Sequence, residues 1–449
     1  MKIKKYLNLN SFVDVIKSDF SKIPDHRRNP SIPLEDALTA GFAIFHLKYP
    51  SLLKFEEAAF GSNAHNIRRV YSIKNVPSDT RMREVLDPVD PDELRGAFRS
   101  IFNLLFSGKV FDRFKFIQDY HLISIDGSGI FNSKSVSCKN CIVKNHRNGE
   151  TSYSHYLQTA ALVHPDQKTV FPFAPEGTYK TKANKNDCEI NAHRRLLAKI
   201  KNDHPRMKAI VLADSLHTTE KTIDLLEVLD YRYILNVKKS SHEWLFRYVE
   251  GHSRYLPETA GTLETSFEIG DKVKKTVRRK YRWVNNVAHI KDEDKQKKVN
   301  FFELEETTSW ISKKYGPKEK TSKFSWVTDF EVNQLNIEKL ARAGRCRWKI
   351  ENETFNTLKN QGYELEHNFG HGDDNLCNVF AALMMLAFLV DQSMETCCDY
   401  YQYLRKEHGP RYDLFNHIRS AFKLVAVDNW NQILRLLTGE LTVTISNTS

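Results

Sequence analysis

The sequence predicts an α/β fold, α+β over the whole chain: a mixed sheet flanked by helices, preceded by a helical N-terminal region and interrupted by a β-rich insertion. Three observations predict it. Residues 116–237 alternate strand-like and helix-like periods in the order β-β-β-α-β-α-β. Residues 1–115 carry helical periodicity throughout. Residues 238–328 abandon the alternation for short segments rich in β-formers, and helical periodicity returns in 329–395 and in a tail over 396–449.

In the first region, Leu34–Leu47 has a broad apolar face behind Pro33, with Glu35 and Asp36 in its first turn, and Leu52–Phe60 is a second short helix. Ser78 and Asp92 stand where N-caps belong, ahead of two further helices. Basic pairs, Arg27-Arg28 and Arg68-Arg69, punctuate the loops and suit contact with DNA. From His121 the texture changes. HLISIDGSG reads as a strand ending at Asp126 in a glycine-flanked turn. Tyr156–Val163 and Thr169–Phe173 complete an antiparallel meander around a Pro165-Asp166 turn. Asp187 caps a helix to about Ile200, Ala209–Leu212 is a buried strand ending at Asp214, Thr218–Leu229 is a helix, and Tyr231–Val237 is a strand. Four β-forming segments follow, separated by charged turns such as Lys291–Lys298.

The stretch Arg345–His367 reads as an amphipathic helix, with Trp348, Phe355 and Leu358 turned to a core and Gly362 as its stop. Arg347 and Glu351, four residues apart, share one side. A run from Val379 to Val390 is the longest apolar stretch, shorter than the ~20 residues that span a bilayer, and reads as a buried helix with no membrane partner.

Lysine plus arginine number 67 against 56 aspartates and glutamates, a formal charge of +11 that favours polyanion partners, nucleic acid first. Seven cysteines without a secretory signal read as reduced thiols in a cytoplasm. Three acids carry the chemistry: Asp126 and Asp214 at strand ends, and Glu351 on a helix able to pack on the sheet. Converging carboxylates repel one another, and divalent cations relieve that. Hard oxygen ligands suit Mg²⁺ or Mn²⁺, and two such ions support in-line phosphodiester chemistry.

The IDGSG around Asp126, the LADS around Asp214 and the RWKIE ending at Glu351 resemble the DDE transposases of bacterial insertion sequences, the insertion-sequence-four type in particular. The resemblance spans roughly residues 120–390 and includes the long gap between Asp214 and Glu351, which in that type holds a β-rich insertion. It implies a ribonuclease H-like core, an acid triad of Asp126, Asp214 and Glu351 holding two metal ions, and strand cleavage and transfer at transposon ends. It further implies double-stranded DNA as partner, both terminal inverted repeats and target, a homodimer in a synaptic complex, and a bacterial, nucleoid-associated location. Two positions depart from the type's signature. Gly344 stands where it has tyrosine, and Leu358 where it has lysine, with Lys359 one step later. Glu353, six residues before Lys359, is therefore a rival for the third acid. Arg347, Lys359, Lys238 and Lys239 are the expected DNA contacts near the acids. The basic and aromatic residues of 278–283 are a further candidate grip for phosphates and unpaired bases.

Two other classes stay open: a related nuclease that cuts without joining, and an inactive DNA-binding remnant. Cys138 and Cys141 have zinc-ligand spacing, with His146 and His155 following, but lack a second pair of normal spacing. His367 and His371 fall in a glycine-rich turn.

Overall fold

A computed structural model describes residues 6–61, 64–179, 187–270, 274–292, 297–312 and 314–443. The charged turn Lys291–Lys298 lies partly outside them.

Six helices open the chain: α1 (Leu9–Phe20), α2 (Leu34–His46), α3 (Leu52–Phe60), α4 (Ala64–Val70), α5 (Asp79–Leu86) and α6 (Arg95–Ser107). Their starts follow the local chemistry. The Ser51 and Ser78 side chains accept from Lys54 N and Arg81 N at the starts of α3 and α5. Ahead of α6 the cap is Asp90 rather than Asp92: its side chain accepts from Asp92 N at 3.0 Å and opens a 3₁₀ turn, Pro91–Leu94. Proline at the first position of that turn needs no hydrogen-bond partner, so the start moves forward by two residues.

The strands are β1 (Lys115–Ile117), β2 (Tyr120–Ser133), β3 (Ile142–Asn145), β4 (Thr151–His164), β5 (Gln167–Pro172), β6 (Glu176–Gly177), β7 (Ala209–Ala213), β8 (Arg232–Asn236), β9 (Ala260–Ile269), β10 (Lys275–Ala288), β11 (Lys298–Ser312) and β12 (Gly316–Thr328). Helices α7 (Glu189–Asp203) and α8 (Glu220–Val228) connect β6 to β7 and β7 to β8. All strands belong to one sheet in the order β3-β4-β2-β7-β8-β12-β11-β10-β9, with β1 on β2 and both β5 and β6 on β4. Its heart is β5-β4-β2-β7-β8. The first three are antiparallel neighbours, and β7 and β8 run parallel to β2. That order, three strands of meander followed by two reached through helices, is the ribonuclease H-like arrangement expected above.

The strand expected to stop at Asp126 continues to Ser133. Its glycines do not make a turn. They let β2 pair on with β4 through an irregularity between Gly129 and Phe131. Asp187 does not cap α7. Cys188 holds the cap position, and Asp187 instead pairs with Arg195 at 2.7 Å.

The segment between β8 and β12 begins with a helix that strand propensity hid, α9 (Glu243–Tyr255), and then forms the antiparallel ribbon β9–β12. Trp283 lies opposite Gly261, whose absent side chain leaves room for the indole. Beyond β12 come α10 (Ile337–Arg345), a short 3₁₀ turn, a π-helical turn (Ile350–Phe355), and α11 (Asn356–Asn360). Then follow α12 (Leu376–Cys397), α13 (Asp399–His408), α14 (Arg411–Leu424) and α15 (Trp430–Leu437). Helix α12 is long and apolar enough to cross a membrane, yet it is enclosed by protein, with α2 and β5 among the elements packed on it. One hydrophobic cluster runs from the N-terminal helices through the sheet to α15. The last helices close on the first: Asn66 Nδ2 donates to the Phe422 and Val425 carbonyls at 2.8 Å, and Trp430 N donates to Asn10.

Candidate active site

The parallel ladder between β2 and β7 pairs His121 with Ala209 and ends with Ser124 level with Leu212. Continuing that register by two residues sets Asp126 level with Asp214. Residues level on neighbouring parallel strands share a face, with backbones about 5 Å apart. The same edge receives the end of β8, because Ala213 pairs with Leu235. Lys238 and Lys239 follow there, both exposed.

The third carboxylate arrives from the irregular helical segment. Ser124 Oγ donates to the Arg347 carbonyl at 2.9 Å, and Lys349 Nζ donates to the Gln167 carbonyl at 2.7 Å. These two bonds tie the segment to β2 and β5. The Arg347 guanidinium then spans two acids: Nη1 donates to Asp126 Oδ2 at 3.0 Å and Nη2 to Glu351 Oε1 at 2.5 Å. Charge-assisted bonds of this kind hold geometry as well as charge. Asp126 is 221 residues from Arg347 in sequence, so only the fold joins them. Glu351 is the acid drawn in this way, while Glu353, the rival, forms none of these bonds.

Asp126 is largely buried, its side chain 18% exposed. Burial pushes its carboxyl up to about 6, against the pull of the Gly127 N–H and Arg347. The sign of the consequence follows from linkage. The native pKa lies above the unfolded value of about 3.9, so between pH 4 and 6 the native chain binds a proton that the unfolded chain does not. This group therefore favours the native state more as pH falls through 6, and it carries its full penalty above 6. In chelator-containing buffer at pH 7.5, Asp126→Asn is expected to raise stability by about 3 kcal/mol, because the native carboxyl sits at about 6 against about 3.9 in the unfolded chain. The advantage of the variant should shrink as pH falls to 4.5. Urea denaturation at both pH values checks this, and equal stability at pH 7.5 would refute it.

A fourth carboxylate, which the sequence reading missed, lies beside Gly127 and shares His217 with Asp214. Glu189, in the first turn of α7, has Oε1 3.6 Å from His217 Nε2, and that nitrogen is 3.8 Å from Asp214 Oδ1. The His217 ring beside it holds the Glu189 carboxyl below its usual range. Its own ring stacks on His193 at 4.0 Å. A side chain at Gly127 would meet Gln158 Nε2 at 2.3 Å and Glu189 Oε1 at 2.7 Å, which accounts for the glycine next to Asp126. An acid at the start of a helix is ordinary in sequence, so nothing local marked Glu189.

Several expected residues are placed differently. Trp348 is 43% exposed rather than in the core, while Phe355 and Leu358 are buried. The 3₁₀ turn over Cys346–Trp348 and the π-turn that follows shift the helical phase, so the spacing of a regular helix no longer applies across them. Lys359 forms an ion pair with Glu366 at 2.6 Å. Lys238 and Lys239 border a groove of about 980 Å³ together with Lys280, Arg282, Glu250 and Glu303. The aromatic residues of 278–283 do not stand free to stack on bases: Tyr281 and Trp283 are buried, and Arg279 and Arg282 pair with Glu306 and Glu303. Arg27 is paired with Asp25 at 2.6 Å and Arg69 with Asp428 at 2.9 Å, whereas Arg28 and Arg68 are exposed on the helical layer.

Gly344 has a packing reason. A Cβ there would lie 2.6 Å from Trp326 Nε1, so the buried indole occupies the space beside α10. Gly344→Ala is expected to cost about 1–3 kcal/mol, since the ring cannot withdraw from a filled core. Thermal denaturation checks this, and an unchanged or higher Tm would refute the packing account.

Residues 123–389 match the family model described as "Transposase DDE domain". No curated protein matches the chain. Among solved structures, the cryo-EM structure of a piggyBac transposase synaptic complex with hairpin DNA is similar over 98% of this chain and 84% of that one, with 11% identity and a TM-score of 0.39.

Proposed function

This chain belongs to the DDE transposase family by its match over residues 123–389, and from that premise we propose that it is a transposase of the insertion-sequence-four type that binds transposon-end DNA, cleaves a strand there and joins the freed end to target DNA. The observation that carries the reading is the Arg347 bridge to Asp126 and Glu351, beside an Asp214 in register with Asp126.

Divalent metal use is general in the family. Asp126, Asp214 and Glu351 would hold the ions, two of Mg²⁺ or Mn²⁺. The donor set fits them: hard carboxylate oxygens, one on an acid whose charge is poorly solvated until a cation arrives. When bound, such ions activate a water or 3′-hydroxyl and stabilise the leaving oxygen. The chain's own residues do the positioning. Arg347 orients two of the carboxylates and presents its remaining donors to a phosphate. Lys238 and Lys239, at the same sheet edge, and Lys359, once released from Glu366, neutralise DNA backbone. The helical region with Arg27, Arg28, Arg68 and Arg69 contacts the terminal inverted repeats. Two copies act in one synaptic complex on the bacterial nucleoid.

The test is a cleavage and strand-transfer assay with labelled end duplexes taken from the DNA flanking the coding sequence, a plasmid target, and Mg²⁺ or Mn²⁺. Nicking followed by joining supports the proposal. Cutting without joining makes the chain a nuclease, and salt-dependent binding without chemistry makes it a DNA-binding remnant.

A further inference from the structure

A second cluster of ligating groups lies away from the carboxylates. Cys138 and Cys141 sit in the connection from β2 to β3, His155 on β4, and His371 in the turn between α11 and α12. One ligand atom from each lies within 4.8 Å of all the others. The sulfurs are 3.8 Å apart, Cys138 Sγ is 3.3 Å from His155 Nε2, and Cys141 Sγ is 3.4 Å from both His155 Nε2 and His371 Nε2. Tetrahedral zinc with bonds of about 2.3 Å to sulfur and about 2.0 Å to nitrogen demands edges of roughly 3.8 Å between sulfurs and roughly 3.5 Å from sulfur to nitrogen. The four distances above lie within about 0.2 Å of those values.

We propose that Cys138, Cys141, His155 and His371 form a structural zinc site that clasps the β2–β3 connection to the turn following the glutamate-bearing segment. Four features beyond the distances favour it. Two thiolates and two neutral imidazoles compensate Zn²⁺ to net zero charge, as a buried site requires, and soft sulfur selects zinc over the hard cations suited to the carboxylates. Cys141, His155 and His371 are buried. The CxxC turn is already folded as a knuckle: Cys141 N donates to the Cys138 carbonyl at 3.2 Å, and Cys138 N points at Cys141 Sγ at 3.4 Å. A cluster held by hydrogen bonds alone is a poor alternative, because thiols are weak donors.

The fourth ligand is not the one that spacing nominated. His146 bonds Ser152 Oγ at 2.8 Å, and the place falls to His371, 230 residues from Cys141. Phe131 covers the site, its ring 4.1 Å from that of His371. Phe131 pairs with His155 as Asp126 pairs with Thr159, so the site stands roughly 15 Å along β2 from the acidic cluster. The clasp anchors the turn beyond the segment that carries Glu351 to β4 and to the connection that leaves the strand carrying Asp126.

The experiment uses the full chain, purified without chelator, with metal content measured by mass spectrometry and with cobalt substitution. Roughly one zinc per chain is expected. Cobalt should give tetrahedral visible bands with a thiolate charge-transfer absorption. His146→Ala should keep the metal, and Cys138→Ser and His371→Ala should lose it. Because those two variants risk misfolding, His371→Cys serves as the second probe. It retains four ligands and should raise the charge-transfer intensity about one-and-a-half-fold, from two thiolates to three. Less than about a tenth of a zinc per chain together with no cobalt bands, or an unchanged cobalt spectrum in His371→Cys, overturns the proposal.

Discussion

Asp391→Ala is expected to cost about 3–5 kcal/mol and to leave much of the chain unfolded at 37 °C, because it strands a buried ammonium. Asp391 lies in α12, wholly buried, with its Oδ2 2.6 Å from Lys48 Nζ. Lys48 is equally enclosed, and its other donors go to the Phe45 and His46 carbonyls at 3.1 and 3.0 Å. Tyr363 and Tyr401 donate to the same carboxylate, which therefore gathers the turn after α2, the turn after α11, α12 and α13 on one group. Net stabilities of ordinary domains are about 5–15 kcal/mol, so the loss of one such partner is a large share. Burial alone would raise the Asp391 carboxyl, but Lys48, His46 and Arg411 together outweigh it and hold the group below the usual carboxylate range. Its contribution is thus complete above the unfolded pKa of about 3.9 and is lost as pH falls through the depressed native value. Replacing the pair together, Lys48→Met with Asp391→Leu, should cost much less than either single change. Denaturant titration of the singles and the double decides. A single-variant loss below about 1 kcal/mol would show that the pair is not the junction it looks to be.

The largest effect on activity is expected at the carboxylates. Asp214→Ala and Glu351→Ala should each lower the rate of strand cleavage by about a thousandfold or more, equivalent to roughly 4 kcal/mol of barrier, since each would remove a ligand of the proposed metal site. Asp126→Ala should do the same without loss of fold. Glu353→Ala should retain activity within a few-fold. Gel assays of end cleavage at saturating Mg²⁺, paired with thermal denaturation of each variant, separate chemistry from folding. Full activity in Glu351→Ala with loss in Glu353→Ala would move the third carboxylate by two residues and leave the Arg347 bridge as a surface ion pair.

The order of strands and helices was legible because short periods report locally on burial: YLQTAALV and YRYILNV are strands for the same reason that Leu34–His46 is a helix. The i,i+4 pairing of Arg347 with Glu351 was legible too, because it needs only one helical turn. What escaped has other causes. The continuation of β2 past Asp126 was hidden because glycine reads equally as turn or as strand in close contact, and only Gln158 and Glu189 across the gap decide. The face of Trp348 was misread because a π-turn changes the period within the segment. Helix α9 was overlooked among β-formers, although Leu245 and Val249 give it a buried edge at helical spacing. His371 and Glu189 reach their clusters through tertiary closure, which no local spacing encodes.

The ribbon of β9–β12 leaves and rejoins the sheet at a single doorway. Trp326, Val327 and Thr328 pair with Asn236, Leu235 and Ile234, and Val237 and Ser325 exchange hydrogen bonds of 3.0 and 2.9 Å across the gap. In evolutionary terms this makes the ribbon a graft. Its two ends are already neighbours, so a short hairpin turn could join them, and the entropy of closing a longer loop grows only slowly with its length. Lineages can therefore lengthen, trim or exchange this arm while the strands bearing Asp126 and Asp214 stay as they are.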